Sequence, residues 1–254
     1  MKIRYLGTCS GTEPMTGSHQ CSLIMECAGI NYWFDAGENC GYRAYTTPDI
    51  DVMNTKALFI SHPHIDHTGG LPHLIFVMTK LAGRYQKELI GGKLDVFVPA
   101  ENILAGLDAL LPSHIPLVGH DVSDGMLYED ENVTVTAAHN AHLGEDGSGG
   151  WHSYSYRLTH EGKRVVFSGD VASPAELDSL IEGGCDLLIM ETGHHKVADV
   201  CSYALSRGIK KLRFNHHGRE ILGDRAACEA YVSDFAGQHG MDILIAFDGM
   251  VDIL

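Results

Sequence analysis

The chain has 254 residues, with 18 basic and 33 acidic side chains and a formal charge of −15. That balance argues against a protein living on nucleic acid, where phosphate contacts dominate affinity. The length suits one large domain over residues 1–254, and no apolar run is long enough to span a bilayer, so no membrane partner is expected.

The seven cysteines are odd in number and form no Cys-x-x-Cys pair, which predicts reduced thiols. The opening Met1-Lys2-Ile3-Arg4-Tyr5-Leu6 reads as a strand start and has no signal-peptide core, so the expectation is a soluble, cytoplasmic protein.

Residues 2–6, 21–26 and 30–35 read as strands, separated by turn signals at Gly7, Gly11 and Gly29. Gly37 to Tyr45 has the character of a helical turn. The apolar Ala57-Leu58-Phe59-Ile60 then predicts a buried strand over 56–60. It runs into Ser61-His62-Pro63-His64-Ile65-Asp66-His67-Thr68-Gly69-Gly70, where three histidines and an aspartate fall within six residues. Imidazole and carboxylate suit borderline divalent ions such as zinc, and a turn at a strand end can aim several of them at one point. Pro63 stops the ladder, so a metal-binding loop leading into a helix is expected.

Leu71, Leu74, Ile75, Met78 and Leu81 recur at helical spacing, and 94–98 and 101–111 read as a strand and a helix. Residues 112–131 are poorly patterned. Strands over 133–138 and 153–159 flank Gly144 to Gly150, whose four glycines suggest a segment that moves over the metal pocket. The strand 164–167 ends at Ser168-Gly169-Asp170, and Pro174 opens a helix reaching Gly183-Gly184. Strands over 186–190, 211–214 and 243–247 alternate with helices over 196–207 and 224–237. The order fits two mixed β-sheets face to face with helices outside, an α/β fold of four αββα layers.

Across these elements the chain resembles the metallo-β-lactamase-fold hydrolases, in particular the branch of ribonuclease Z and related phosphodiesterases. The likeness lies in Leu6-Gly7-Thr8, Phe34-Asp35-Ala36-Gly37-Glu38, His62 to Gly70, His139 after a strand, Ser168-Gly169-Asp170 and Asn215-His216-His217-Gly218. It implies two divalent metal ions, with zinc expected and manganese or iron as alternatives. His62, His64 and His139 would hold the first, Asp66, His67 and His216 the second, and Asp170 would bridge both. His142 competes with His139, and His217 with His216; the residue nearer the strand end is preferred in each case. Asp35 is placed to accept the second N–H of a ligand histidine, or to serve only as a turn carboxylate.

Two metals sharing a water supply a hydroxide at neutral pH, which Asp66 could steady or deprotonate. His194 and His195 are candidates for the acid that protonates the leaving group, although the histidine that relatives carry just before the glutamate is Met190 here. Arg219 is a candidate to grip a phosphate. His73 reads as a structural histidine, and His19, before the strand at Cys21, as a loop residue. The expected substrate is a small phosphodiester, with structured RNA a poor one; a homodimer is the family expectation. The alternatives are a transfer-RNA 3′-processing endonuclease, a lactone or thioester hydrolase, and a non-hydrolytic metal-binding or di-iron protein.

Overall fold

The computed structural model describes residues 1–11, 16–111, 114–147 and 149–254, and only the backbone of Glu101. Among them, strands alternate with helices as the apolar periodicity requires. The first six strands are β1 (Lys2–Gly7), β2 (Ser22–Cys27), β3 (Ile30–Ala36), β4 (Thr55–Phe59), β5 (Leu94–Phe97) and β6 (Leu117–His120). A second sheet follows with β7 (Gly125–Glu129), β8 (Thr134–His139), β9 (Tyr154–His160), β10 (Lys163–Phe167), β11 (Leu187–Thr192), β12 (Lys211–His217) and β13 (Asp242–Ile245). The closing strand β14 (Val251–Ile253) returns to the first sheet and pairs antiparallel with β1.

Both sheets have seven strands, in the orders β14-β1-β2-β3-β4-β5-β6 and β13-β12-β11-β10-β9-β8-β7. Each half runs antiparallel first and then parallel, β3 to β6 in one sheet and β10 to β13 in the other. Side chains alternate across each strand. Tyr32 and Phe34 of β3, Phe59 of β4, and Val165 and Phe167 of β10 point inward to the core between the sheets. Trp33, Leu58 and Val166 point outward beneath helices.

Helices α1 (Cys40–Thr46), α3 (Leu71–Tyr85) and α4 (Glu101–Leu110) cover the first sheet, and α2 (Ile65–Thr68) is a single turn at its rim. The second sheet is covered by α5 (Asp178–Ile181), α6 (Val197–Ser206), α7 (Arg219–Gly223) and α8 (Arg225–His239). The helix expected from Pro174 is a 3₁₀ turn over Pro174–Leu177 followed by α5, opened by a capping box between Ser173 and Glu176.

The stretch 112–131, read as unpatterned, carries two strands; its residues 112–113 lie outside the described ones. β6 and β7 close the same side of their two sheets and are half-exposed, so neither shows the buried alternation by which strands are recognised. The β12 strand reaches His217, beyond the expected Phe214. None of the described helices is long and apolar enough to cross a membrane.

Candidate metal centre

The parallel strands of both sheets, and β8, point their C-terminal ends at one rim, where loops present side chains over a rigid scaffold. The first sheet delivers Asp35 at the end of β3 and the loop His62 to His67 after β4. The second delivers His142 after β8, Asp170 after β10, Glu191 near the end of β11 and His216 near the end of β12.

Asp35 and His216 adopt left-handed φ of 59° and 49°. Non-glycine residues rarely do so, and such strain persists only where surrounding contacts impose it. The contacts are visible. Buried Asp35 accepts the Ser61 N–H at 2.7 Å, the Ser61 hydroxyl at 2.8 Å and the His67 Nδ1–H at 2.7 Å. It fixes the His67 ring and leaves Nε2 facing the rim, as carboxylates that accept the far N–H of a ligand histidine do. Of the two readings of Asp35, the structure places it against His67.

Among the described residues, overlapping groups of ligand atoms converge there, including one of Asp170, Glu191, His194 and His216 and two others that contain loop residues from His62 to His67. In one of these two, His62, His64, His142 and Asp170 offer atoms that all lie within 4.8 Å of one another. His62 Nε2 is 3.0 Å from His64 Nδ1, and His142 Nε2 is 3.4 Å from the same atom. In the other, Asp66, His67 and His216 meet, with His216 Nε2 3.1 Å from both Asp66 Oδ2 and His67 Nε2.

Asp170 stands between the groups. Its Oδ2 lies 3.8 Å from His62 and 3.7 Å from His142, while its Oδ1 lies 3.5 Å from His67 and 3.3 Å from His216. Asp170 Oδ1 and His216 Nδ1 are buried and make no hydrogen bond. Buried polar atoms in folded proteins are nearly always satisfied, so these orphans and the crowded imidazoles fit a pair of divalent cations.

The same residues carry strongly perturbed electrostatics. Burial, then the charge of His67, His142 and His64, pushes His62 far below the usual imidazole value, which keeps it in the neutral ligating form. Burial alone would raise the Asp66 carboxyl, but His216 and His67 outweigh it and hold it well below the carboxylate range. Burial would likewise lower His67, but Asp170, Asp35 and Asp66 win and raise it. Close approach is needed on both sides: a Cβ at Gly11 would sit 2.6 Å from the Asp66 carboxyl carbon, and one at Gly193 2.6 Å from His216 Nδ1.

One expected ligand stands elsewhere. His139 donates its backbone N–H and its Nδ1–H to Asp124, at 2.7 and 2.6 Å, and stacks on Trp151 with ring centroids 4.2 Å apart. It ends β8 on the far side, and the chain needs three more residues to bring an imidazole, that of His142, to His62 and His64. The structure thus brings His142, and not His139, beside His62 and His64, a matter of chain path that proximity to a strand end does not encode. Of the other pair, His216 faces Asp66 and Asp170, whereas His217 turns its Nε2–H to the Ala246 carbonyl at 2.8 Å; burial pushes it down to about 4.

Glu191 enters the sequence reading only as the glutamate after Met190 and is given no role there, although a carboxylate at the end of the apolar run 186–190 is a signal. It is buried, and its Oε1 accepts the His194 Nδ1–H at 3.1 Å. That bond, the largest influence on His194, raises its pKa. His194 stays half-exposed in a cleft of about 740 Å³ lined also by Ser10, Ile65, Asp66, Lys196 and Arg219. His195 is tied down instead, with Nε2 2.9 Å from the Val171 carbonyl and 3.3 Å from Glu191. His73 is exposed on α3 beside Phe76, and His19 is bound to Asp248, both apart from the two groups.

Residues 31–210 match the model of the beta-lactamase superfamily domain. Ribonuclease Z of Pseudomonas putida is 23% identical over 287 residues, covering 88% of this chain and 86% of that protein. Human tRNase Z, short form, superposes with a TM-score of 0.73 at 17% identity, over 100% of this chain and 99% of that one. A diphosphatase of the PhnP family superposes at 0.66 and 15% identity, over 100% and 97%.

Proposed function

The chain belongs to the beta-lactamase superfamily as a metal-dependent hydrolase of the metallo-β-lactamase fold, and from that premise we propose that it cleaves a small phosphodiester. His62, His64 and His142 would hold one divalent ion, Asp66, His67 and His216 a second, and Asp170 would face both. The observation that carries this reading is the division of Asp170, one oxygen toward each group. When bound, such a pair supplies an acidified water and neutralises charge on the attacking and leaving oxygens of an in-line displacement. Zinc is the metal the histidine-rich donor set favours, with manganese or iron as alternatives.

The chain's own groups complete the reaction. Asp66 can take or steady the proton of the attacking water at the cleft floor. His194 has Nδ1 committed to Glu191, which leaves Nε2 to protonate the leaving oxygen; His195 lacks that freedom. Arg219 and Lys196 line the same cleft and suit an anionic substrate.

A second reading, cleavage of transfer-RNA precursors, is favoured by relatives that bear the ribonuclease Z name over most of this chain. They weigh against setting RNA aside, and they support phosphorus chemistry over carbonyl chemistry. The charge of −15 supports the smaller substrate, because an extended polyanion is repelled. The alignment also runs over 287 residues against a chain of 254, so that relative carries sequence this chain lacks. The test is a contest between bis-p-nitrophenyl phosphate and a 3′-extended transfer RNA with the same metal-loaded protein. Turnover of the diester with little site-specific RNA cleavage is expected; efficient RNA cleavage promotes the second reading.

A further inference from the structure

A second recess lies against the opposite flank of the metal groups. It measures about 670 Å³ and is lined by Pro63, Val98, Pro99, Val122, Leu143 and Trp151, with His152, Asn102 and Asp121 among its polar neighbours. Two of its wall residues adjoin ligand histidines in the chain: Pro63 sits between His62 and His64, and Leu143 directly follows His142. The cleft that holds Arg219, Lys196 and His194 opens on the other side. The centre thus has two recesses near it, one bearing Arg219 and Lys196 and one walled mainly by proline, valine, leucine and tryptophan side chains.

The recess is also rigidly built. His139, clamped by two bonds to Asp124, lies flat on the Trp151 indole at an interplanar angle of 22°. His152 donates to the Pro99 carbonyl at 2.9 Å and reaches Asp146 at 3.3 Å. Asp146 in turn bonds the Gly150 N–H, and Glu145 pairs with Trp151 across the turn. In the glycine-rich segment, whose Ser148 lies outside the described residues, these contacts tie Glu145, Asp146 and Gly150 to Trp151 and His152, and His152 to Pro99 just beyond β5. A half-buried indole held by a stacked imidazole is a preorganised surface for a flat ring, since aromatic pairs gain from offset or edge contact beyond area alone.

We propose that this recess is a binding subsite for an aromatic substituent on the phosphorus of the substrate, with Trp151 as its principal contact. The inference rests on the phosphodiester reading, and it narrows the substrate to diesters with one planar, apolar arm. The opposite cleft then takes the charged or hydrated arm. His139 serves the subsite by positioning Trp151, which accounts for its strict anchoring away from the metal groups.

Phenylphosphonate and methylphosphonate test this directly, because they share a head group and differ only in the arm. Their dissociation constants are measured by titration calorimetry on zinc-loaded protein, and turnover of bis-p-nitrophenyl phosphate is recorded on the same preparation. The wild type should bind the phenyl compound about tenfold more tightly than the methyl one. In Trp151→Ala the ratio should fall to threefold or less, and Leu143→Asp, at a less buried wall, should lower it in the same direction. A wild-type ratio of threefold or less, or a ratio that stays above threefold in Trp151→Ala with its thermal transition intact, overturns the subsite. If Trp151→Ala does not fold, Leu143→Asp decides by the same threshold. Turnover without arm preference removes the subsite alone, whereas absence of both turnover and phosphonate binding removes the phosphodiester reading with it.

Discussion

The two rims of the sandwich treat buried polar groups in opposite ways. At the rim where β3, β4 and β8 begin, Asp130 accepts the hydroxyls of Tyr32 and Tyr128 at 2.7 and 2.8 Å and the N–H groups of Asn132 and Val133, with Lys56 3.0 Å away. Toward the other edge of the sandwich, buried Arg213 is bracketed by Asp242 and Asp252, and Tyr5 donates to Asp252. Every charge there has its partner inside the protein. At the other rim, imidazoles crowd to 3.0 Å, and Asp170 Oδ1 and His216 Nδ1 are buried without a hydrogen bond. Both rims are expensive to build, because buried polar groups need partners. The first satisfies itself and stabilises the fold; the second is left for ions to satisfy, which is what makes it a site.

The comparison breaks most visibly at Asp170, which serves both ligand groups. Asp170→Asn should lower kcat/KM by more than the roughly 10–100-fold typical of losing an outer-shell partner, and should weaken both ions together. Steady-state kinetics with metal analysis checks this; near-native rates with both ions retained would remove Asp170 from its place between the sites. A smaller effect is expected at Asp35. Asp35→Asn should cost about 10–100-fold in affinity for the ion held by His67, read by competition with a chelating dye, because it frees the ring that Asp35 orients.

The self-satisfied rim should respond in stability and not in metal content. Burial would raise the Asp130 carboxyl, but its N–H and hydroxyl donors and Lys56 bring it down to about 2. A folded pKa below the unfolded value near 3.9 means the contribution is complete above about pH 5 and fades as pH falls toward 2. Asp130→Asn should therefore cost about 2 kcal/mol at neutral pH, a drop of roughly 4–8 °C in Tm that shrinks on acidification. Equal metal content in the variant and the wild type is part of the expectation. A Tm penalty that grows toward pH 3 would contradict the sign of the shift.

The same contrast explains what the amino-acid order could and could not disclose. His62, His64, Asp66 and His67 fall within six residues after an apolar strand, so local spacing alone points to a metal loop, and the amphipathic pattern of α3 follows it directly. The second sheet contributes its site residues singly, from β8, β10, β11 and β12, and adjacency in the chain says little about which of two neighbouring histidines turns toward the rim. His216 and His217 differ by a left-handed φ of 49° at His216, and His139 and His142 by how far the chain travels after β8. Asp124, which holds His139, comes from a stretch with no readable pattern. Tertiary geometry chose among residues that the sequence had made chemically equal.

The most direct test of the account is the metal-to-protein ratio of protein stripped with chelator and reloaded with zinc, compared among the wild type, His142→Ala and His139→Ala. A centre built from His62, His64, His142 and Asp170 beside Asp66, His67 and His216 predicts two ions per chain in the wild type. It predicts two in His139→Ala and about one in His142→Ala. A single ion at saturation in the wild type, or loss of an ion on removing His139 and not His142, would contradict it.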